Sequence, residues 1–454
     1  IENKLTRMHR RSVVRLEYEL GMDETMRLLL AHRLGVGEAD QYEIEGLFSL
    51  HDLAGFVERI SRPGLVWPDA QAVEVRDFVV DGAFAAIAAR DRLLFHPWHS
   101  YKPVIDFINQ AADDPAVLAI KQTLYRTSAD SAVIGALERA ARAGKYVSVV
   151  VEIKARFDER RNIAWARRLE DAGAHVVYGL AGLKTHAKLL LVVRKEQDGI
   201  RRYLHLATGN YNESTARLYT DFSFFTVDRA LGDDVAAVCN MLTGFTWPRS
   251  GTRLGVAPLD CRQKLLALIG REEENARRGG TGMIRAMMNS LSDRGIIEAL
   301  ERAASSGVRI DLIVRGICLL VPGRNISVRS IVGRYLQHAR VSQFHNGGDE
   351  EFYLSSADWM TRNLERRVEF IFPILDAGLC SFLKYTLDIF FQDTVNAWAL
   401  HADGSSRRVE GSQEVDSFQE AGCMIARLEN PPPEEVVQRF VPIRHMYTDQ
   451  GEQA

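Results

Sequence analysis

Two copies of one α/β domain, placed behind a lead-in segment and followed by a polar tail, is the architecture this sequence predicts. Three observations predict it. From Leu93 onward, apolar and β-branched runs alternate with amphipathic helical stretches, the pattern of a sheet flanked by helices. The stretch ALERAARAGKYVSVVVE (136–152) returns as ALERAASSGVRIDLIVR (299–315), and self-similarity on that scale decides an architecture. The repeat also carries polar residues that a packed core does not require, at matching offsets in both halves.

Residues 1–90 form the lead-in. Within it DETMRLLLAHRLG has the acidic start and glycine stop of a helix, and SRPGLVWPDA is a proline-broken loop. The first copy spans 91–250. AVLAIKQTLYR predicts a strand, DSAVIGALERAARAG a helix ended by Gly144, KYVSVVVEIKARFD a strand, NIAWARRLEDAGA a helix and HVVYGL a strand. THAKLLLVV and RRYLHLATGNYN complete the sheet. WPRSGTRLGVAP (247–258) is a linker, and the second copy spans 251–400, with Gly307 matching Gly144. FHNGGDEEFY, which contains His345, has the turn chemistry of a hairpin. The tail, 401–454, contains HADGSSRR and NPPPEE; only VVQRFVPI has packing character, and the segment is expected to be peripheral and partly disordered.

A chain of 454 residues accommodates two or three domains. Its 46% hydrophobic and 26% charged content is that of a water-soluble globular protein, and a net charge of −3 argues against a generally basic nucleic-acid binder. No apolar run approaches the length of a membrane span, and the N-terminus lacks the apolar core of a signal peptide. The five cysteines are scattered without CxxC pairing, which argues against a disulfide framework or zinc site and favours the reducing cytoplasm.

The polar repeat carries the chemistry. In GLKTHAKLLLV (182–192), a strand would put Lys184, His186 and Lys188 on one face beside an apolar core. Buried cations demand an anion. His186-Ala187-Lys188 is echoed by His338-Ala339-Arg340, and Ala207-Thr208-Gly209-Asn210 by Ser355-Ser356-Ala357-Asp358. Asp221 comes eleven residues after Asn210, and Glu369 eleven residues after Asp358. Each half thus offers a histidine, a cation two residues on, an Asn or Asp, and a carboxylate. An isolated histidine–lysine pair is usually a solvated surface feature. Recurrence with matched partners is not explained that way, and points to a site between the halves that receives both histidines.

The chemistry that fits is nucleophilic attack on phosphorus. A neutral imidazole nitrogen can form a phosphohistidine, and fixed cations such as Lys188 and Arg340 stabilise the negative charge spread over a transferring phosphoryl group. Asp221 or Glu369 could orient an imidazole tautomer; the sequence does not say which carboxylate serves which histidine. Arg126, Arg156 and Arg315 fall at or after predicted strand ends, where α/β sheets bind ligands, although strand-end arginines also commonly pair with carboxylates. His205 alternates on a strand as a core or supporting histidine, while His96 and His99, in FHPWHS, could simply pack. No Walker A motif is present, so any nucleotide is bound without a P-loop.

LAIKQTLYR, VEIKARFDE, WARRLEDAGAHVVYGLAGLKTHAKLLLVVR, LATGNYNESTARLYTD and SSADWMTRNLERRVEF together resemble the first family of polyphosphate kinases, a resemblance running from near residue 1 to about 400. It implies a phospholipase-D-like duplicated fold with the active site at the interface of the two copies. It also implies reversible transfer of the ATP γ-phosphate to the end of a polyphosphate chain, with magnesium, in a homo-oligomer. His186 matches the histidine that is phosphorylated; Tyr219, Arg315 and His338 match ATP-contacting positions; Arg126 and Arg156 match magnesium-site positions. An arginine has no lone pair to give a metal, so those two are expected to hold the phosphates that carry it. His205 matches a second histidine implicated in the family. Residues 1–90 correspond to part of a head domain. The expected partners are ATP or ADP and inorganic polyphosphate, with no nucleic acid; peripheral membrane association is left open. Two alternatives stand beside this reading. A phospholipase-D-like phosphodiesterase would use two HxK motifs, and the Arg340 in the second copy argues against it. An inactive polyphosphate-binding remnant is the other.

Overall fold

The computed structural model describes residues 13–46, 53–57, 59–60, 62–68, 70–125, 131–152, 159–180, 182–244 and 253–430. Two compact units divide after Asp69. In the smaller, Leu16–Glu19 and Gln41–Ile44 pair in parallel, joined through the helix Glu24–Leu34. Asp23 accepts the Met26 N–H at its start and Gly35 ends it in the left-handed region, at φ 66°. This is the helix the sequence predicts.

The larger unit contains both repeats. The first sheet is formed by β1 (Arg92–His96), β2 (Val117–Leu124), β3 (Tyr146–Val151), β4 (His175–Val177), β5 (Lys188–Glu196), β6 (Gly199–Ala207) and β7 (Tyr219–Thr226). Their spatial order is β1-β7-β6-β5-β2-β3-β4. The second contains β8 (Gly255–Ala257), β9 (Met283–Met288), β10 (Arg309–Val314), β11 (Ile326–Ile331), β12 (Val341–Phe344), β13 (Glu351–Ser355) and β14 (Arg367–Ile374), in the order β8-β14-β13-β12-β9-β10-β11. The two orders are the same, position for position. The repeat read from 136–152 and 299–315 is the helix, left-handed glycine and strand seen at Ala132–Arg142, Gly144 and β3, and again at Arg294–Ser305, Gly307 and β10.

Both sheets are buried on two faces, which is why KLLLVV reads as a continuous apolar run rather than an alternation. Leu190 and Val192 enter an outer core with the helices Arg76–Ala89, Lys102–Asp113, Ala132–Arg142 and Glu159–Asp171. Leu189 and Leu191 enter a central core shared with Phe370, Phe372 and Leu354 of the second copy. The second copy has its own outer core beneath the helices Cys261–Arg277 and Arg294–Ser305. The halves are therefore fused by apolar burial, and the site lies along that fusion. No helix among the described residues is long and apolar enough to cross a membrane.

Several expectations need correction. The lead-in does not extend to 90: Phe78, Ala83, Ala86 and Ile87 of the helix Arg76–Ala89 are buried in the first copy's outer core, and the division falls at 69. The 247–258 linker ends in strand β8, which pairs with β14; residues 247–252 lie outside the described residues. The 401–454 tail is not wholly peripheral. Ser406–Arg408 pairs with Ala397–Leu400. Ser417–Glu429 is an amphipathic helix that buries Phe418, Ala421 and Ile425 in the central core, with Trp98 donating its indole N–H to Phe418 O at 2.9 Å. The polar loops around that segment masked its apolar stripe. VVQRFVPI lies outside the described residues. The hairpin around His345 forms as read, with Asn346–Gly348 between β12 and β13.

If the 417–429 helix is integral to the fold, Phe418→Ala will lower stability by about 3–5 kcal/mol, the usual cost of emptying a buried aromatic site. Denaturant unfolding measures this, and an unchanged midpoint would return the helix to the periphery.

Candidate active site

Each half builds its histidine with the other half's backbone. Lys184–Thr185 pairs in parallel with Arg367–Val368 at the start of β14, and Leu336–Gln337 pairs in parallel with Tyr219–Thr220 at the start of β7. The backbone N–H groups of His186 and Ala187 both donate to Val368 O, at 3.0 and 2.9 Å. Two consecutive amides cannot face one acceptor in a regular strand. So 184–192 is not the single strand expected; it turns at His186 before β5 begins. The three basic side chains still converge. The Tyr125 ring lies 4.9 Å from Lys184 Nζ, 5.8 Å from Lys188 Nζ and 5.1 Å, edge-to-face, from the His186 ring.

The carboxylates are exchanged between halves. His186 Nδ1 lies 2.9 Å from Glu369, and His338 Nδ1 lies 2.8 Å from both oxygens of Asp221. The hydroxyl of the small-residue motif fixes each carboxylate in the same way: Thr208 Oγ1 donates to Asp221 at 2.7 Å and Ser356 Oγ to Glu369 at 2.6 Å. Each of those hydroxyls also accepts the N–H following the carboxylate, from Phe222 and Phe370, at 3.0 Å. Asn363 Nδ2 donates to the second Glu369 oxygen at 2.9 Å.

Glu369 can only accept when ionised, so His186 Nδ1 carries the proton between them and Lys188 donates to the His186 carbonyl instead. The Nε2 lone pair is left available, with no hydrogen-bond partner among the described residues. Burial, then the charges of Lys188, Arg367, Arg340 and His338, hold the His186 imidazole well below its ordinary value. It is neutral and nucleophilic at neutral pH. Burial lowers the Lys188 ammonium to about 7 against the pull of Glu369. Burial raises Glu369, and the neighbouring cations oppose the rise. In the other half burial lowers His338 while Asp221 opposes it. For Asp221, burial is outweighed by His338 and Arg340, and its carboxyl falls below the usual range.

Cations close the site. Asp358 grips Arg340 through Nε and Nη2, at 3.3 and 3.2 Å, and Arg340 Nη1 lies 3.2 Å from His338 Nε2. Arg315 donates to Asn289 Oδ1 at 2.9 Å and to Gln337 O at 2.8 Å. Tyr219 packs its ring 5.2 Å from that of His338. The structure thus brings together Lys184, His186, Lys188, Tyr219, Asp221, Arg315, His338, Arg340, Asp358 and Glu369. Arg126 and Arg156 lie outside the described residues. His205 is not part of the cluster: its ring is buried against Phe225 and Tyr211, whose hydroxyl is 2.8 Å from Nδ1. Asn210 makes no hydrogen bond to either histidine among the described residues.

Sequence reading missed Arg367, whose charge acts on His186 and whose Nη1 is 3.7 Å from Glu369. Strand alternation carried the signal, since Arg367 stands two residues before Glu369 on the same face. It also missed Asn289, at the end of β9. Among the described residues no group of three or more His, Cys, Asp or Glu side chains is arranged to hold a metal. The site carboxylates are each taken by a histidine or an arginine, so these residues do not form a magnesium cage.

Comparison with known proteins places this geometry. The model of polyphosphate kinase C-terminal domain 1 matches residues 82–248, and that of C-terminal domain 2 matches residues 254–419. The chain belongs to the polyphosphate kinase family. A curated polyphosphate kinase of Prosthecochloris aestuarii is 48% identical over 403 residues, covering 87% of this chain and 56% of that protein. One from Bacillus anthracis is 45% identical over 432 residues, covering 92% and 61%. The chain thus spans little more than half the length of these relatives. The crystal structure of polyphosphate kinase from Porphyromonas gingivalis superposes with a TM-score of 0.82 at 34% identity, over 91% of this chain and 65% of that one. The duplicated sheets are those of the phospholipase-D-like fold that the family shares.

Two outcomes test this geometry. A Cβ on Gly209 would sit 2.4 Å from Asp221 Cγ, so Gly209→Ala will displace the carboxylate that orients His338. Turnover is expected to fall about 100-fold, the scale of a 1 Å misplacement in an active site, with the far-ultraviolet spectrum retained. His96 and His205 are buried and held near 4 and 3 by desolvation. The unfolded chain protonates them below about 6.5 and the folded chain does not. Stability will therefore fall as pH drops through that value, and His205→Gln will flatten the slope by an amount that rises toward about 1.4 kcal/mol per pH unit as pH falls from 6.5 to 5. Unfolding curves across that window measure it.

Proposed function

We propose that the chain catalyses reversible transfer of the ATP γ-phosphate to the end of a polyphosphate chain, with His186 as the covalent carrier. The observation that carries this reading is the His186–Glu369 contact across the two halves, which leaves Nε2 of a neutral imidazole without a hydrogen-bond partner among the described residues while the charges of Lys188, Arg367 and Arg340 act on the ring. In the forward direction the Nε2 lone pair attacks the γ-phosphorus. The bond from that phosphorus to the β,γ-bridging oxygen breaks, and ADP leaves with the electron pair. Positive charge develops on the imidazole and is met by Glu369 at Nδ1, so no proton need leave the ring before the bond forms. Lys188, Arg315, Arg340 and Arg367 stabilise the charge on the phosphoryl oxygens, which is the main work a protein does in phosphoryl transfer. A terminal oxygen of polyphosphate then attacks the phosphohistidine, the N–P bond breaks, and neutral His186 returns. His338, held by Asp221, is assigned to the phosphates and to proton transfer at the leaving oxygen. Magnesium belongs to the nucleotide substrate in this scheme.

Names and similarity support the reading: the relatives above are polyphosphate kinases, and the likeness covers both histidine-bearing domains. The difference between Lys188 and Arg340 favours one nucleophile and a kinase over a phosphodiesterase, which would use two HxK motifs. ATP or ADP and polyphosphate are the substrates proposed, in the cytoplasm and in a homo-oligomer.

Incubation with γ-labelled ATP and magnesium is expected to leave acid-labile, base-stable label on the chain, absent from His186→Ala. No label on the folded chain, with binding of polyphosphate retained, would favour a binding remnant; hydrolysis of a phosphodiester model substrate would favour a phosphodiesterase.

A further inference from the structure

The two half-sites follow one plan, so a difference at matched positions is informative. Backbone hydrogen bonds fix the match. Glu152 N donates to Leu124 O as Arg315 N donates to Met288 O, at 3.0 and 3.2 Å; Asn212 N donates to Asn210 O as Met360 N donates to Asp358 O, each at 2.8 Å. Tyr125 therefore stands where the second half has Asn289, Lys188 where it has Arg340, and Asn210 where it has Asp358.

In the second half these positions lock a cation. Asp358 holds Arg340 with two oxygens and accepts Asn289 N at 2.8 Å, and Asn289 Oδ1 in turn holds Arg315. In the first half the lock is missing. Asn210 has no charge to give, and its Oδ1 is buried without a hydrogen-bond partner among the described residues. Lys188 has no carboxylate within ion-pairing distance among the described residues. The Tyr125 ring occupies the matched place. Its main chain is held by Asn162, buried, which donates to Tyr125 O at 3.0 Å and to Glu152 O at 2.9 Å and so ties the ends of β2 and β3 together.

We infer that Tyr125 is a positioning residue of the first half-site: its ring seats His186 edge-on and packs against the ammonium groups of Lys184 and Lys188 without bringing a negative charge to them. An aromatic face attracts a cation without adding an opposite charge, whereas a carboxylate at the same distance cancels it. Together, Tyr125 and Asn210 make this half-site the one whose cation is open to a phosphate, while Arg340 is committed to Asp358. The inference rests on the phosphotransfer reading above.

The test compares Tyr125→Phe, which keeps the ring, Tyr125→Met, which fills similar space without one, and Asn210→Asp, which gives Lys188 the carboxylate that Arg340 has. Two readouts are used: the single-turnover rate of phosphohistidine formation from γ-labelled MgATP, and the ¹⁵N histidine signals of the nucleotide-free chain, assigned with His186→Ala. Tyr125→Phe is expected to keep the His186 signals in place and to react faster than Tyr125→Met. Tyr125→Met and Asn210→Asp are each expected to slow the reaction about tenfold or more, with the His186 signals shifted in Tyr125→Met and those of His338 unmoved. Wild-type rate and unmoved His186 signals in Tyr125→Met would overturn the inference, as would an undiminished rate in Asn210→Asp. Should Tyr125→Met not fold, the near-isosteric Asn210→Asp decides. Absence of label on the wild-type chain would sink the phosphotransfer reading instead, and the His186 signals would then decide the seat of Tyr125 alone.

Discussion

Glu369 reaches His186 from the other half of the molecule, and the rest of the site depends on that exchange. A buried carboxylate is costly unless its oxygens are satisfied. Here one oxygen takes Ser356 and His186, and the other takes Asn363. The arrangement holds only while β14 sits beside the segment entering β5, through the two-residue parallel pairing of 184–185 with 367–368. The reciprocal pairing of 336–337 with 219–220 does the same for His338 and Asp221. Neither half alone supplies the carboxylate that orients its own site histidine.

The central core supplies the force that keeps those pairings in place. Leu189, Leu191, Phe222 and Phe224 of one sheet share it with Leu354, Phe370 and Phe372 of the other. Apolar burial is non-directional, so it brings the sheets together without setting the register of the polar groups. The register is set by hydrogen bonds: Thr208 to Asp221 and Phe222, Ser356 to Glu369 and Phe370. The same hydroxyl that orders each carboxylate also ties it to the backbone beside the core. Packing and chemistry are thus linked through two hydrogen bonds in each half, the same two in both.

Duplication does not make the halves equal. Arg340 is fixed in a bidentate pair with Asp358, a geometry suited to a rigid wall of the site. Lys188 is a compact charge on a flexible stem, held at the edge of its charged state by burial. The first half presents a histidine with an unpartnered Nε2 and a buried cation that has no carboxylate of its own among the described residues; the second presents a fixed positive surface.

The sequence by itself determined the duplication, the α/β class, and the residue types at each matched offset, because periodicity and repetition are local properties that a chain carries into any fold. It singled out His186 as the candidate centre of the site, since a recurring histidine and cation beside a buried run calls for an anion. It did not determine which carboxylate serves which histidine. Asp221 is nearer to His186 in the chain, and the structure gives it to His338. Nor did it reveal the turn at His186, where two amides share the carbonyl of Val368, or the burial of the helix Ser417–Glu429, whose apolar stripe is set among polar loops. Those decisions belong to contacts between segments far apart in sequence. Pairing across 183 residues, as between His186 and Glu369, leaves no trace in local periodicity; it exists only once the two sheets have closed their common core.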